Sequence, residues 1–88
     1  MLRMTRSSSS DAAVLLLEGK LTEPWTEELR AEVAGGGPIT RLDLSGLSFI
    51  DARGAELLHE LERSGVALAG ASVFVRELLG LLNYSQIP

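Results

Sequence analysis

At 88 residues with a net charge of −4, the chain has room for one domain with one modest core. Its Lys and Arg nowhere cluster, which excludes the phosphate contacts of a nucleic-acid binder, and the acidic balance disfavours an anionic membrane surface. The absence of cysteine removes disulfides, thiolate metal ligands and thiol nucleophiles.

Met1 to Thr22 mixes charges, serines and one short apolar run, with no hydrophobic signal core. No run anywhere approaches membrane-span length, so the chain is expected to be cytoplasmic, with no membrane insertion. Leu2 to Thr5 or Arg6 is a weak edge-strand candidate, and the polar tract Ser7 to Asp11 is expected to turn it into an antiparallel neighbour. Ala12 to Leu17, apolar on both faces, reads as a strand inside a sheet that is covered on one or both sides, and it ends through Gly19. Pro24 suits a helix's first turn, with Thr22 or Glu23 as its cap region. That helix runs to about Ala34 with Trp25, Leu29 and Val33 as its buried stripe, Ala31 and Ala34 as smaller fillers, and Glu27, Glu28, Arg30 and Glu32 in solvent. Gly35-Gly36-Gly37-Pro38 stops it. The order there is helix, glycines, strand, the reverse of a phosphate cradle, so nucleotide binding is rejected at this loop.

The run from Pro38 to Leu58 is the most informative. Ile39, Leu42 and Leu44 alternate with polar residues as a strand does. Ser45-Gly46 interrupts the alternation and reads as a tight turn, followed by an apolar elbow of Leu47, Phe49 and Ile50. After Asp51 the period becomes helical, with Gly54, Leu57, Leu58 and Leu61 on one face. Asp51 is placed to cap that helix, and its charge suits the positive end of the dipole. Arg53 does not suit it, and a local conflict of this kind is expected chiefly at functional sites. The helix should stop at about Ser64 before Gly65, with Glu56, His59, Glu60 and Arg63 turned away from its leucines. Val66 to Leu68 is a short strand. Ser72 can cap a last helix from Val73 to about Asn83 that buries Phe74, Leu78, Leu81 and Leu82, ahead of a frayed tail from Tyr84 to Pro88. The resulting order predicts an α/β domain: a mixed sheet of about four strands, the last three parallel, with three helices packed on it. No repeat and no domain boundary is visible, so 1–88 reads as one domain with its core in 12–83.

Leu42-Asp43-Leu44-Ser45-Gly46-Leu47-Ser48-Phe49-Ile50-Asp51-Ala52-Arg53-Gly54-Ala55 resembles the central motif of the STAS domain, the fold of anti-sigma factor antagonists. That motif is an apolar strand ending in Asp-Leu-Ser/Thr, then an apolar residue, Asp, Ser, Ser/Thr, Gly and a leucine-rich helix. The resemblance spans about Ala12 to Leu82, although only this central stretch is specific. It implies a non-catalytic interaction module whose partner is an anti-sigma kinase or, in other branches, a transporter ATPase subunit. The contact patch it implies is Ser48, Phe49, Asp51, Ala52, Arg53 and Gly54, with Glu56 and Leu57 beside them. Phospho-regulated members carry a Ser or Thr directly after the Asp; here Ala52 and Arg53 stand there, so the acceptor hydroxyl is missing.

Arg53 is therefore expected to offer a fixed positive charge to a partner's carboxylate or phosphate, or else to pair with Glu56 one turn on. Phosphorylation could move to Ser48 or Ser45 at the turn. Left-over apolar helix surface and a free sheet edge also point to a homodimer. An enzyme would have to draw on Asp43, Asp51, Glu56 and His59, but no nucleophile is placed beside a base and the chain is too small for a deep pocket. With one histidine and no cysteine, neither a metal nor a cofactor is expected.

Overall fold

The structure, a computed structural model, describes residues 1–8 and 12–82, with side chains through Leu81. Seven elements follow in the order β1 (Leu2–Ser8), β2 (Ala13–Leu21), α1 (Trp25–Gly35), β3 (Arg41–Ile50), α2 (Ala52–Arg63), β4 (Ala67–Ala69) and α3 (Val73–Leu82). The strands lie in the order β1-β2-β3-β4. The first pair is antiparallel; β2, β3 and β4 run parallel, as helical crossovers require.

One face of the sheet carries the core. Leu15, Leu17 and Leu21 of β2 and Leu42, Leu44, Leu47 and Ile50 of β3 meet Leu29 of α1, the leucines of α2 and Val75 of α3 in a single buried cluster. Each leucine fully withdrawn from water contributes about 1.5–3 kcal/mol. On the other face Arg3 reaches Glu18, Thr5 stands beside Leu16, and Arg41 beside Val14 and Ala67. Val14 and Leu16 are only half-covered there, so β2 is buried on one face and not on both.

The strands are longer than the sequence suggests. β2 runs through Gly19 to Leu21, and β1 includes Ser7 and Ser8; Ser9 to Asp11 of the expected turn lie outside the described residues. Most importantly, Ser45-Gly46 does not end β3. Leu16 pairs with Asp43 but Glu18 with Gly46, and Gly19 pairs with Leu47 but Lys20 with Phe49, so β3 accommodates one extra residue at each of two bulges. Bulges break the period of two without breaking the strand, which is why the pattern reads as a turn. Gly46 is needed because a Cβ there would lie 2.6 Å from Glu18 Cγ and 2.9 Å from the Leu17 carbonyl oxygen.

α1 buries the stripe its sequence predicts but with a different filler, and α3 buries another face than expected. In α1 Leu29 is buried and Trp25 and Val33 half-buried, but Ala31 and Ala34 are exposed and Thr26 fills the interior instead. Neither Thr22 nor Glu23 caps α1 with its side chain; Trp25 N–H donates to the Thr22 carbonyl across 2.7 Å. In α3 the inward residues are Val75, Leu78 and Leu79, while Phe74 and Leu81 face solvent. Its cap is as expected, with Val75 N–H donating to Ser72 Oγ at 3.1 Å. β4 starts one residue later than the expected strand, and the tail from Tyr84 lies outside the described residues.

Candidate functional site

Because β2 and β3 are parallel neighbours, the segments that follow them emerge side by side at one end of the sheet. The first holds Thr22, Glu23 and Pro24, the second Asp51 and the start of α2. Asp51 ties them together. Its backbone is extended, with φ −98° and ψ −175°, and its side chain caps α2 by accepting Gly54 N–H on Oδ1 at 2.7 Å. Oδ2 accepts Glu23 N–H at 3.2 Å, and Asp51's own N–H donates to the Leu21 carbonyl at 3.2 Å. Gly54 completes the junction: a Cβ there would run into the Leu21 carbonyl oxygen, so only glycine lets α2 sit so close to the end of β2.

Around this corner the expected contact residues divide into two groups. Ser48, Phe49, Ala52, Arg53 and Glu56 are exposed. Gly54 and Leu57 are buried, Leu57 as part of the core, and so cannot meet a partner; they hold α2 in place beneath the patch. Asp51 is half-buried, with both carboxylate oxygens engaged. Ser48 occupies the second bulge and its hydroxyl donates to the Gly19 carbonyl at 3.1 Å. Phe49, 37% exposed, stands in register with Lys20. Arg53 pairs with Glu23, not with Glu56: Nε lies 3.9 Å from Glu23 Oε2, with both side chains more than half exposed, a contact worth little in water.

Ser45 is not at the corner. It lies on the open face about 10 Å of strand before Ser48, where its N–H donates to Asp43 Oδ1 at 2.9 Å. Hydrogen bonds from the Ser45 hydroxyl and N–H hold the Asp43 carboxyl below its ordinary pKa. The acids and base of the enzyme reading are scattered: Asp43 on the open face, Asp51 and Glu56 at the corner, and His59 on the helix side with Nε2 donating to the Leu79 carbonyl at 3.0 Å. Among the described residues no cluster of acids and histidine is arranged to hold a metal ion, and no helix is long and apolar enough to cross a membrane.

Glu23 is the residue that pattern reading misses. The parallel pairing of β2 and β3 is the signal that would have found it, since it sets the residue after one strand beside the cap after the next.

No family model matches the sequence, and no curated protein matches it significantly. Among solved structures, the chain is similar to the anti-sigma factor antagonist SpoIIAA in its unphosphorylated form, at 22% identity and a TM-score of 0.65 over 90% of this chain and 83% of that one. It is also similar to a DUF3478-family protein with a SpoIIAA-like fold from Shewanella loihica PV-4, at 20% identity and a TM-score of 0.52 over 96% of this chain and 78% of that one. At such identities the likeness is one of fold, and the chain has the SpoIIAA-like fold that its Leu42–Ala55 motif anticipates.

Proposed function

We propose that the chain is a non-catalytic protein-interaction module of the anti-sigma factor antagonist type. It docks its partner through the corner formed by Ser48, Phe49, Ala52, Arg53 and Glu56. The observation that carries this reading is that an aromatic ring, Phe49, and a guanidinium, Arg53, are both exposed on either side of a junction that Asp51 fixes through two hydrogen bonds. Aromatic and arginine side chains supply most of the energy of typical interfaces, and a rigid corner limits the ordering cost of presenting them. Arg53 takes a carboxylate or phosphate of the partner, exchanging its weak contact with Glu23 for a desolvated one. The partner is an anti-sigma kinase; a transporter ATPase subunit is the alternative with the same docking chemistry.

The test is Arg53→Glu, titrated by calorimetry against an anti-sigma kinase or transporter ATPase subunit that binds the wild-type chain. The dissociation constant should rise by about tenfold or more. The melting temperature should hold, because the new carboxylate suits the helix N-terminus while it faces Glu23. An unchanged dissociation constant removes the corner from the interface.

A second reading places a phosphate on Ser48 or Ser45; both are exposed, and the neighbouring charge favours Ser48. On Ser45 the new charge would face the Asp43 carboxylate, whereas on Ser48 it would displace only the hydrogen bond to Gly19. Intact-mass measurement after incubation with the partner kinase decides it: no gain in mass retires the reading.

A further inference from the structure

α3 has two apolar faces and the fold uses one. Val75, Leu78 and Leu79 pack inward, while Val73, Phe74 and Leu81 are 64%, 54% and 70% exposed. On the outward side, within the same third of the helix circumference, lies Gly80. Glycine is the poorest helix former after proline, yet Gly80 does not have a positive φ, and a Cβ built there would meet nothing among the described residues. Among the described residues the fold gives no reason for it. A second molecule pressed against this face would.

The spacing identifies that molecule. About Glu77, Val73 stands four residues before and Leu81 four after; Phe74 stands three before and Gly80 three after. An antiparallel pair of α3 helices related by a two-fold axis at Glu77 therefore sets Val73 of each copy against Leu81 of the other. The same pairing sets each Phe74 ring over the other copy's Gly80, a knob over a hole. Arg76 flanks the stripe beside Glu77, both are exposed, and neither has an ion-pair partner among the described residues. Across the axis each Arg76 meets the other Glu77, which neutralises the two acids that the symmetry brings together. Such a surface complements itself, the requirement for a closed dimer.

We infer that this chain forms a two-fold dimer through the outward face of α3. A ten-residue helix, about 15 Å long, offers less than a standard interface of roughly 800 Å² per partner, so the association is micromolar in strength. It involves a different element from the Arg53 corner and does not depend on that reading.

Sedimentation velocity over a low- to high-micromolar series tests it. The wild-type sedimentation coefficient should rise with concentration, and Phe74→Arg should remain monomeric throughout with an unchanged circular dichroism spectrum. Gly80→Ala should melt higher yet dissociate about tenfold more readily. Arg76→Glu should weaken association, and Arg76→Glu with Glu77→Arg should restore it. Arg53→Glu should leave it unchanged. A wild-type chain that is monomeric at every concentration overturns the inference, as does association that survives Phe74→Arg.

Discussion

Asp51 reaches across 28 residues of sequence to accept the N–H of Glu23 at 3.2 Å, while its other carboxylate oxygen accepts the N–H of Gly54 at 2.7 Å. One side chain thus caps α2 and pins the entry to α1, so the two loops at this end of the sheet behave as one body. Replacing a capping Asp by Ala costs about 0.5–2 kcal/mol. Asp51→Ala should sit towards the upper end of that range, since the Glu23 N–H loses its acceptor too. Asp51→Asn, which keeps only one acceptor oxygen, should lose about half as much. Urea unfolding gives the energies, and faster amide exchange at Glu23 in the Ala variant reports the freed loop.

Gly54 makes a sharper demand on the same corner. In an isolated helix Gly→Ala gains about 1 kcal/mol. Here the added methyl would collide with the Leu21 carbonyl oxygen, which belongs to strand backbone and already receives the Asp51 N–H. Overpacking against backbone that cannot yield costs about 1–3 kcal/mol or more, so Gly54→Ala should be destabilising overall. A variant as stable as the wild type in urea would mean that α2 can back away from β2.

Asp51, Gly54, Leu57, Leu58 and Leu61 were all legible in the sequence, because cap chemistry and a 3.6-residue period are local signals. β3 was legible only as far as Leu44, because its two bulges shift the alternation and imitate a turn at Ser45-Gly46. α3 misled for a different reason. Nearly every position on it is apolar, so periodicity gives no preference between the face holding Val75 and the one holding Phe74. Packing against β3 and α2 makes that choice. At the site, Arg53 stood out as a misfit in its helix, but its contact with Glu23 depends on two loops meeting in space.

Arg6 joins two elements distant in sequence. It points to the helix side of β1, where Nη2 donates to the Glu32 backbone carbonyl at 3.0 Å and to its carboxylate at 3.2 Å, with Nε 3.3 Å from the same carboxylate oxygen. The Glu32 carbonyl already accepts Gly36 N–H at 3.2 Å, so Arg6 adds a second, charged donor at the end of α1, which has no basic residue of its own in its last turn. Charge-assisted bonds at a partly buried site contribute about 1.5–3 kcal/mol, so Arg6→Ala should lower the unfolding free energy by about that amount. Arg6→Lys should recover only part, because an ammonium cannot reproduce the guanidinium fork. Urea denaturation of the three proteins distinguishes these outcomes.

Asp43 sets an acid limit on the open face. Its carboxyl is held below the ordinary range by the Ser45 hydroxyl and N–H, opposed weakly by burial and helped by Arg41. A depressed folded-state pKa gives stability that is fully present above the unfolded value, about 3.9, and is lost as the pH falls through the folded one. Ser45→Ala removes the hydroxyl's share and keeps the backbone bond. The variant should therefore melt slightly below the wild type at neutral pH, and the gap should close as the pH is lowered past the carboxylate range. A gap of constant size from neutral to acid pH would show that Ser45 acts through packing and not through the Asp43 charge.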